Sequence, residues 1–267
     1  MESEALAPNK TRLKPSFPSF ARTLFNHVKD TIEKYRFKIN LKEFNKNLID
    51  PIKLTFDAKV YGKTIKEIVE MESVRQIDKS NSNHIGYFQQ NIFKYIYHVD
   101  TKETNWVVPK KGFDIVNEID KIYVEMKNKH NTMNSSSSQK TFMRMQNQLL
   151  KDKNSQCYLV EVIAKNSQNI EWRVSLDGES TAHENIRRVS IDKFYEIITG
   201  EKEAFRELVE ILPIVMDDVL EDIQQQGIEN TVFDELQRVD NNMLKSLYLL
   251  SFKKYEGFNN LNMQNIL

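Results

Sequence analysis

The sequence predicts an α/β protein, and three observations carry that prediction. Helix-period apolar patterns fill both ends of the 267-residue chain, short β-branched and aromatic runs fill the middle between Trp106 and Lys127, and QCYLVEVIAK at 156–165 is nearly continuous in apolar content. The last of these reads as a strand buried on both faces. Hydrophobic residues make up 40% and charged residues 28%, with only 7 Gly and 6 Pro, so a collagen-like or wholly disordered chain is excluded. The length suits one domain over 1–267, expected to comprise a basic helical lobe at 1–78, an α/β core at 79–200 and a helical region at 201–267.

The elements follow in order. Residues 1–19 contain Pro and Ser with little periodicity and read as an arm. Phe20, Leu24, Val28 and Ile32 recur at helical steps, predicting a helix from Phe20 to about Asn47. Leu54–Tyr61 reads as a short extended piece closed by Gly62. Residues 64–76 and His84–Tyr97 read as two helices separated by a turn at Asn81–Asn83. The runs at Trp106–Val108, Gly112–Val116 and Ile122–Lys127 predict an antiparallel meander. A helix near 138–151 follows, with Phe142, Met145 and Leu149 on one stripe, and then the buried strand. Further helices are expected at Ile191–Thr199, closed by Gly200, at 201 to about 223, interrupted by Pro213, and at Val232–Phe252.

A net charge of zero hides an uneven distribution. Residues 1–66 carry 14 Lys+Arg against 7 Asp+Glu, while residues 201–240 carry 12 Asp+Glu against 3 Lys+Arg. A polyanionic partner is therefore compatible with the neutral total, because local charges set the field at a cleft. The plain alternative is solvated helix surface. One cysteine, Cys157, excludes an intrachain disulfide and a multi-cysteine zinc site, and the five His show no ligand spacing. No apolar run approaches the roughly 20 residues of a membrane span, and the start lacks a signal-peptide pattern, so a cytoplasmic address is expected.

The chemistry-bearing stretch is GFDIVNEIDKIYVEMKNKHNT at 112–132. If its two strands form a hairpin around Glu118–Lys121, Asp114 faces Glu125, with Cβ atoms about 4.5–5.5 Å apart. Glu125 and Lys127, two apart, share a strand face, while Val124 and Met126 point the other way. Two carboxylates so placed repel, and a bound Mg²⁺ resolves the repulsion, since that ion takes one or two carboxylates, waters and a phosphate oxygen. Lys127 would orient an attacking water. Such a set suits phosphodiester hydrolysis. The alternative is a solvent-facing hairpin with cross-strand pairs such as Asp114 with Lys127.

The same string resembles the catalytic motif of the PD-(D/E)XK nucleases, with Asp114, Glu125 and Lys127 in the three motif positions and a helix, meander, helix, strand order like that of their core. EMKNKHNTMNSSS and RVSIDKFYEIITGEKEAF are more narrowly similar to type II restriction endonucleases that cut at GGNCC or closely related sites, and the resemblance covers roughly 80–215. Phe113 stands where the motif has Pro, which removes no ligand. The resemblance implies a restriction-endonuclease-like α/β core and Mg²⁺-dependent cleavage of double-stranded DNA, with Mn²⁺ as a substitute. It further implies 5′-phosphate ends, a homodimer matching a palindromic site, a cognate DNA methyltransferase and a bacterial or archaeal cytoplasm. An additional upstream acidic residue is expected at Glu72 first and Glu70 second.

Other candidates follow from position. Lys129, Asn131 and Thr132 leave the catalytic strand toward the DNA side, and Lys165 ends the buried strand near the same edge. Arg173, Arg187 and Arg188 flank or end LDGESTAHENIRR, read as an exposed reading loop that would offer guanidinium forks to guanine. Each cation serves equally as a phosphate contact or a surface charge. His130 lacks the partners of a histidine-metal site, Trp106 and Trp172 read as core, and Lys10, Arg12, Lys14, Arg22 and Lys29 either hold phosphates or are solvated. The stripe Leu244, Leu247, Leu250 would serve a dimer or the core. Two rival readings are a structure-selective or repair nuclease on the same core and a catalytically inactive DNA-binding protein.

Overall fold

A computed structural model describes residues 18–96, 105–176, 178–223 and 227–263. The chain begins with helix α1 (Pro18–Glu33), strand β1 (Lys38–Ile39) and helices α2 (Leu41–Asn45), α3 (Pro51–Val60) and α4 (Ile65–Asn91), the last followed by a 3-10 turn at Ile92–Tyr95. Next come β2 (Trp106–Val107), β3 (Ile115–Asn117), β4 (Ile122–Lys129), α5 (Ser135–Lys151), β5 (Gln156–Ile163), β6 (Asn169–Glu171), β7 (Val174–Leu176), β8 (Glu179–Thr181) and β9 (Ile186–Ser190). The chain then runs through α6 (Ile191–Thr199), α7 (Ala204–Asp222), β10 (Glu229–Asn230), α8 (Val232–Val239) and α9 (Met243–Phe252).

Two compact units emerge, one of residues up to Glu33 with Ile85–Ile223, the other of Lys34–His84 with 224 onward. The first holds a six-stranded mixed sheet in the order β2-β3-β4-β5-β9-β6. The expected meander β2-β3-β4 is antiparallel, and β4-β5 and β5-β9 are parallel. Alternation along β4 and β5 divides the side chains cleanly between two cores. Tyr123, Cys157 and Leu159 pack under α5 with Phe142, Met145 and Leu149. Val124, Met126, Tyr158 and Val160 face the opposite way, into a core with Leu24, Val28, Phe194 and Val219 from α1, α6 and α7. Strand β5 is thus buried on both faces, as its apolar run requires.

In the second unit α2, α3, α8, α9 and part of α4 enclose Phe44, Leu54, Val69, Leu236, Leu244 and Leu247. Leu244 and Leu247 therefore serve this core, with Leu250 half-buried against it. Among the described residues no helix is long and apolar enough to cross a membrane.

Several elements differ from expectation, each for a local reason. The helix expected to reach Asn47 stops at Glu33, and Asn40 caps a new one by accepting from the Glu43 N–H at 2.9 Å. Residues 54–60 are helical, with Tyr61 as the C-cap, because Asp50 accepts from the Lys53 N–H, Pro51 takes a first-turn position and Leu54 and Ala58 bury on one face. The turn at 81–83 does not form. There Asn81 accepts from the Arg36 backbone N–H at 2.8 Å, so the polar run stays inside α4. Pro213 lies within α7 without ending it, as Leu208, Val215 and Val219 bury on either side. Conversely, 232–252 is two helices, with Asn242 capping the second. The segment expected as a reading loop contributes strand residues instead. β7 and β8 form a hairpin, and β9, which bears Arg187 and Arg188, joins the sheet because Ile186 and Val189 bury on its two faces.

Candidate active site

The register of β3 and β4, Ile115 with Val124, Val116 with Tyr123 and Asn117 with Ile122, matches the hairpin read from the sequence. One residue further out, the Asp114 N–H donates to the Val124 carbonyl at 2.9 Å, and Asp114 Oδ2 accepts from the Met126 N–H at 2.8 Å. Asp114 is therefore held against the Glu125 peptide by the backbone of β4. Glu125 is buried on the α5 face, and Lys127 Nζ donates to its Oε1 at 2.7 Å.

A fourth group completes the cluster. Arg144, projecting from α5, donates through Nη2 to Glu125 Oε2 at 2.5 Å and through Nη1 to the Gly112 carbonyl, with its guanidinium 5.2 Å from the centre of the Phe113 ring. Gly112 adopts φ +98°, a conformation that glycine tolerates and other residues do not, so the turn before Asp114 is specified locally. Burial pushes the Asp114 carboxyl above the ordinary range, and the Glu125 charge adds to that. The Met126 N–H, Lys127 and Arg144 oppose the shift without cancelling it. Such a pair favours a hard cation in oxygen ligation. Among the described residues no group of three or more His, Cys, Asp or Glu is arranged to hold a metal.

Glu161 forms a second charged cluster on the same sheet face. It stands opposite Lys127 in the parallel β4-β5 pair. Arg188 Nη2 donates to its Oε1, and His130 Nδ1 lies 3.1 Å from its Oε2 and 2.7 Å from Arg188 Nη2. Burial raises the Glu161 carboxyl, but the bonds from Arg188 and His130 outweigh it and leave the group below the ordinary range.

The remaining expected residues are dispersed. Glu72 and Glu70 belong to the second unit, where Glu72 accepts from Arg75 at 2.5 and 2.6 Å and from Gln76 at 3.0 Å, and Glu70 lies 4.0 Å from Lys66. Lys129, the last residue of β4, and Lys165, two residues beyond β5, are exposed. Asn131 has φ +57°, and Thr132 Oγ1 donates to the Lys129 carbonyl, closing the turn that leaves β4. Arg173 pairs with Glu171, and Arg187, on the face opposite Arg188, donates to Asn169. Lys10, Arg12, Lys14 and the Arg22 side chain lie outside the described residues. Arg144 and Glu161 escaped sequence reading. No spacing rule links Arg144 to Gly112, but an acid inside the apolar run 156–165 does announce a buried partner.

A mixed sheet with Asp114, Glu125 and Lys127 on its β3–β4 hairpin is consistent with an endonuclease of the restriction class, and comparison with known proteins shows that class. Residues 20–221 match the model of the Eco47II restriction endonuclease family. The type II restriction enzyme Sau96I of Staphylococcus aureus is 31% identical over 191 residues, covering 68% of this chain and 71% of that enzyme. The type II restriction enzyme Eco47II of Escherichia coli is 29% identical over 217 residues, covering 76% and 88%. The chain belongs to the Eco47II restriction endonuclease family and is a type II restriction endonuclease.

Proposed function

We propose that this endonuclease hydrolyses double-stranded DNA in a Mg²⁺-dependent reaction at a short palindrome related to GGNCC, with Mn²⁺ as a substitute ion. The observation that carries the chemical part is the Asp114–Glu125 pair with Lys127 on Glu125. The sequence specificity rests on the motif resemblance. In this reading Asp114 and Glu125 hold the cation, which supplies Lewis acidity toward a phosphate oxygen and a more acidic water. Lys127 orients the attacking water in line with the leaving 3′ oxygen, and its ammonium offsets charge that builds on the phosphoryl oxygens. The P–O3′ bond breaks, leaving 5′-phosphate and 3′-hydroxyl ends.

The backbone bond from Met126 to Asp114 fixes one carboxylate relative to the other, so little reorganisation is needed when substrate arrives. Lys129, Asn131, Thr132, Lys165, Arg173, Arg187 and Arg188 are the proposed DNA contacts, and Glu72 or Glu70 the proposed additional acid. A homodimer suits a palindrome because each protomer then addresses one strand. A cognate methyltransferase protecting the host sites and a cytoplasmic location complete the reading.

The test is digestion of unmethylated phage DNA by the purified protein in Mg²⁺, with EDTA as control and the fragment ends sequenced. Discrete fragments ending at GGNCC-like sites with 5′-phosphates are expected. A smear would replace the specific reading with that of a structure-selective or repair nuclease, and intact DNA with retained binding would indicate an inactive binder.

A further inference from the structure

Both oxygens of Glu125 are already engaged by cations of the chain, Oε1 by Lys127 at 2.7 Å and Oε2 by Arg144 at 2.5 Å. One oxygen of Asp114 is bonded to the Met126 N–H. A divalent cation shared by the two carboxylates needs an oxygen of Glu125, and each of these oxygens already faces a cation of the chain, whose charge opposes the incoming ion. Lys127 sits on the same strand two residues away, fixed by β4. Arg144 reaches in from α5 on a long stem and also ties Gly112 and Phe113, the turn that delivers Asp114. Its Nε is buried without a hydrogen-bond partner, so its present contacts leave at least this donor unused. A phosphate offers a guanidinium a paired acceptor, which a single carboxylate oxygen does not.

We infer that Arg144 is a placeholder cation and positioning residue: it neutralises Glu125 and holds the Gly112–Asp114 turn until a DNA phosphate arrives, which makes divalent-ion binding weak in the protein alone. The inference rests on the reading of Asp114 and Glu125 as the metal carboxylates. With both of these ionised, Lys127 and Arg144 bring the cluster to neutrality, and an incoming dication meets little net attraction. Without Arg144 the cluster carries one net negative charge close to the ion. An incoming phosphate has the same effect, adding negative charge and offering Arg144 another acceptor.

A purely structural Arg144 predicts the opposite sign, because its loss would loosen Asp114 and Glu125 and weaken the metal site. The experiment is Mn²⁺ titration of the full chain without DNA, followed by the spin resonance of free Mn²⁺, for wild type, Arg144→Gln, Arg144→Met and Arg144→Lys. Arg144→Gln and Arg144→Met are expected to bind Mn²⁺ about tenfold or more tightly than wild type, and Arg144→Lys to stay near wild type because it keeps the charge. Met retains the stem over Phe113 and gives a second uncharged variant if Gln folds poorly. Equal or weaker binding by the uncharged variants, or Lys binding as tightly as they do, would overturn the placeholder role. Adding Asp114→Asn to Arg144→Gln separates the two readings. Lost Mn²⁺ binding locates the ion at this pair, whereas unchanged binding overturns the metal assignment itself.

Discussion

Glu125 and Glu161 lie on neighbouring strands of one sheet face, both buried, and each is held by two basic side chains from different elements. They differ in one neighbour. Asp114 is pinned beside Glu125 by the Met126 N–H, whereas Glu161 has no second carboxylate among its hydrogen-bonding partners. The consequence is visible in the opposite displacement of two carboxyl groups. Asp114 is pushed up by burial and then by Glu125, while Glu161 is drawn down by Arg188 and His130 despite its burial. A buried acid whose charge is fully compensated acts as a strut. Two acids held side by side, one of them raised by its neighbour, are the arrangement that the proposed metal site requires.

The largest effect that would break this contrast is on catalysis. Asp114→Asn and Lys127→Ala are each expected to lower the single-turnover cleavage rate about a thousandfold or more, measured at saturating protein in Mg²⁺. Retention of cleavage within tenfold by either variant would remove that residue from the chemistry. Next in size, Glu161→Ala leaves Arg188 without its buried counter-ion and is expected to destabilise the protein by about 3 kcal/mol in urea unfolding. A loss below about 1 kcal/mol would mean that the second cluster is no strut.

A pH series sharpens the same point. The folded-state pKa of Glu161 lies below its unfolded value, so its stabilising contribution is present above the ordinary carboxylate range and is lost as pH falls through the lowered folded pKa. Midpoints of thermal unfolding should therefore fall less steeply on acidification in Glu161→Gln than in wild type, and parallel curves would contradict this. The smallest effect is expected at Arg206, which pairs with Glu203 and Glu210 on the exposed side of α7. Arg206→Ala should leave the urea unfolding midpoint nearly unchanged, because solvent screens such pairs, whatever their number.

How much of this was legible depends on the range over which each residue acts. The hairpin register that brings Asp114 to Glu125 follows from period-2 alternation and a polar loop, both local. The double burial of β5 was legible for the same reason. The helix boundaries failed where a single capping residue decided the outcome, as at Asn40 and Asp50, or where a polar run found a distant partner, as Asn81 did with Arg36. Arg187 and Arg188 read as loop cations because short β-branched runs with two adjacent arginines do not announce a strand, and their place beside β5 is a tertiary fact. Arg144 is the clearest limit. It contacts Gly112 across 32 positions and Glu125 across 19, and helical periodicity reveals only that it lies off the apolar stripe of α5.

The most direct test sets the two glutamates against each other: single-turnover cleavage of a GGNCC-containing duplex by Glu125→Gln and Glu161→Gln, compared at equal DNA occupancy with melting curves for both. Loss of cleavage by about a thousandfold in Glu125→Gln, with Glu161→Gln cutting within about tenfold of wild type but melting earlier, is the predicted result. Cleavage abolished in Glu161→Gln and retained in Glu125→Gln would contradict the placement of the chemistry on the Asp114–Glu125–Lys127 cluster.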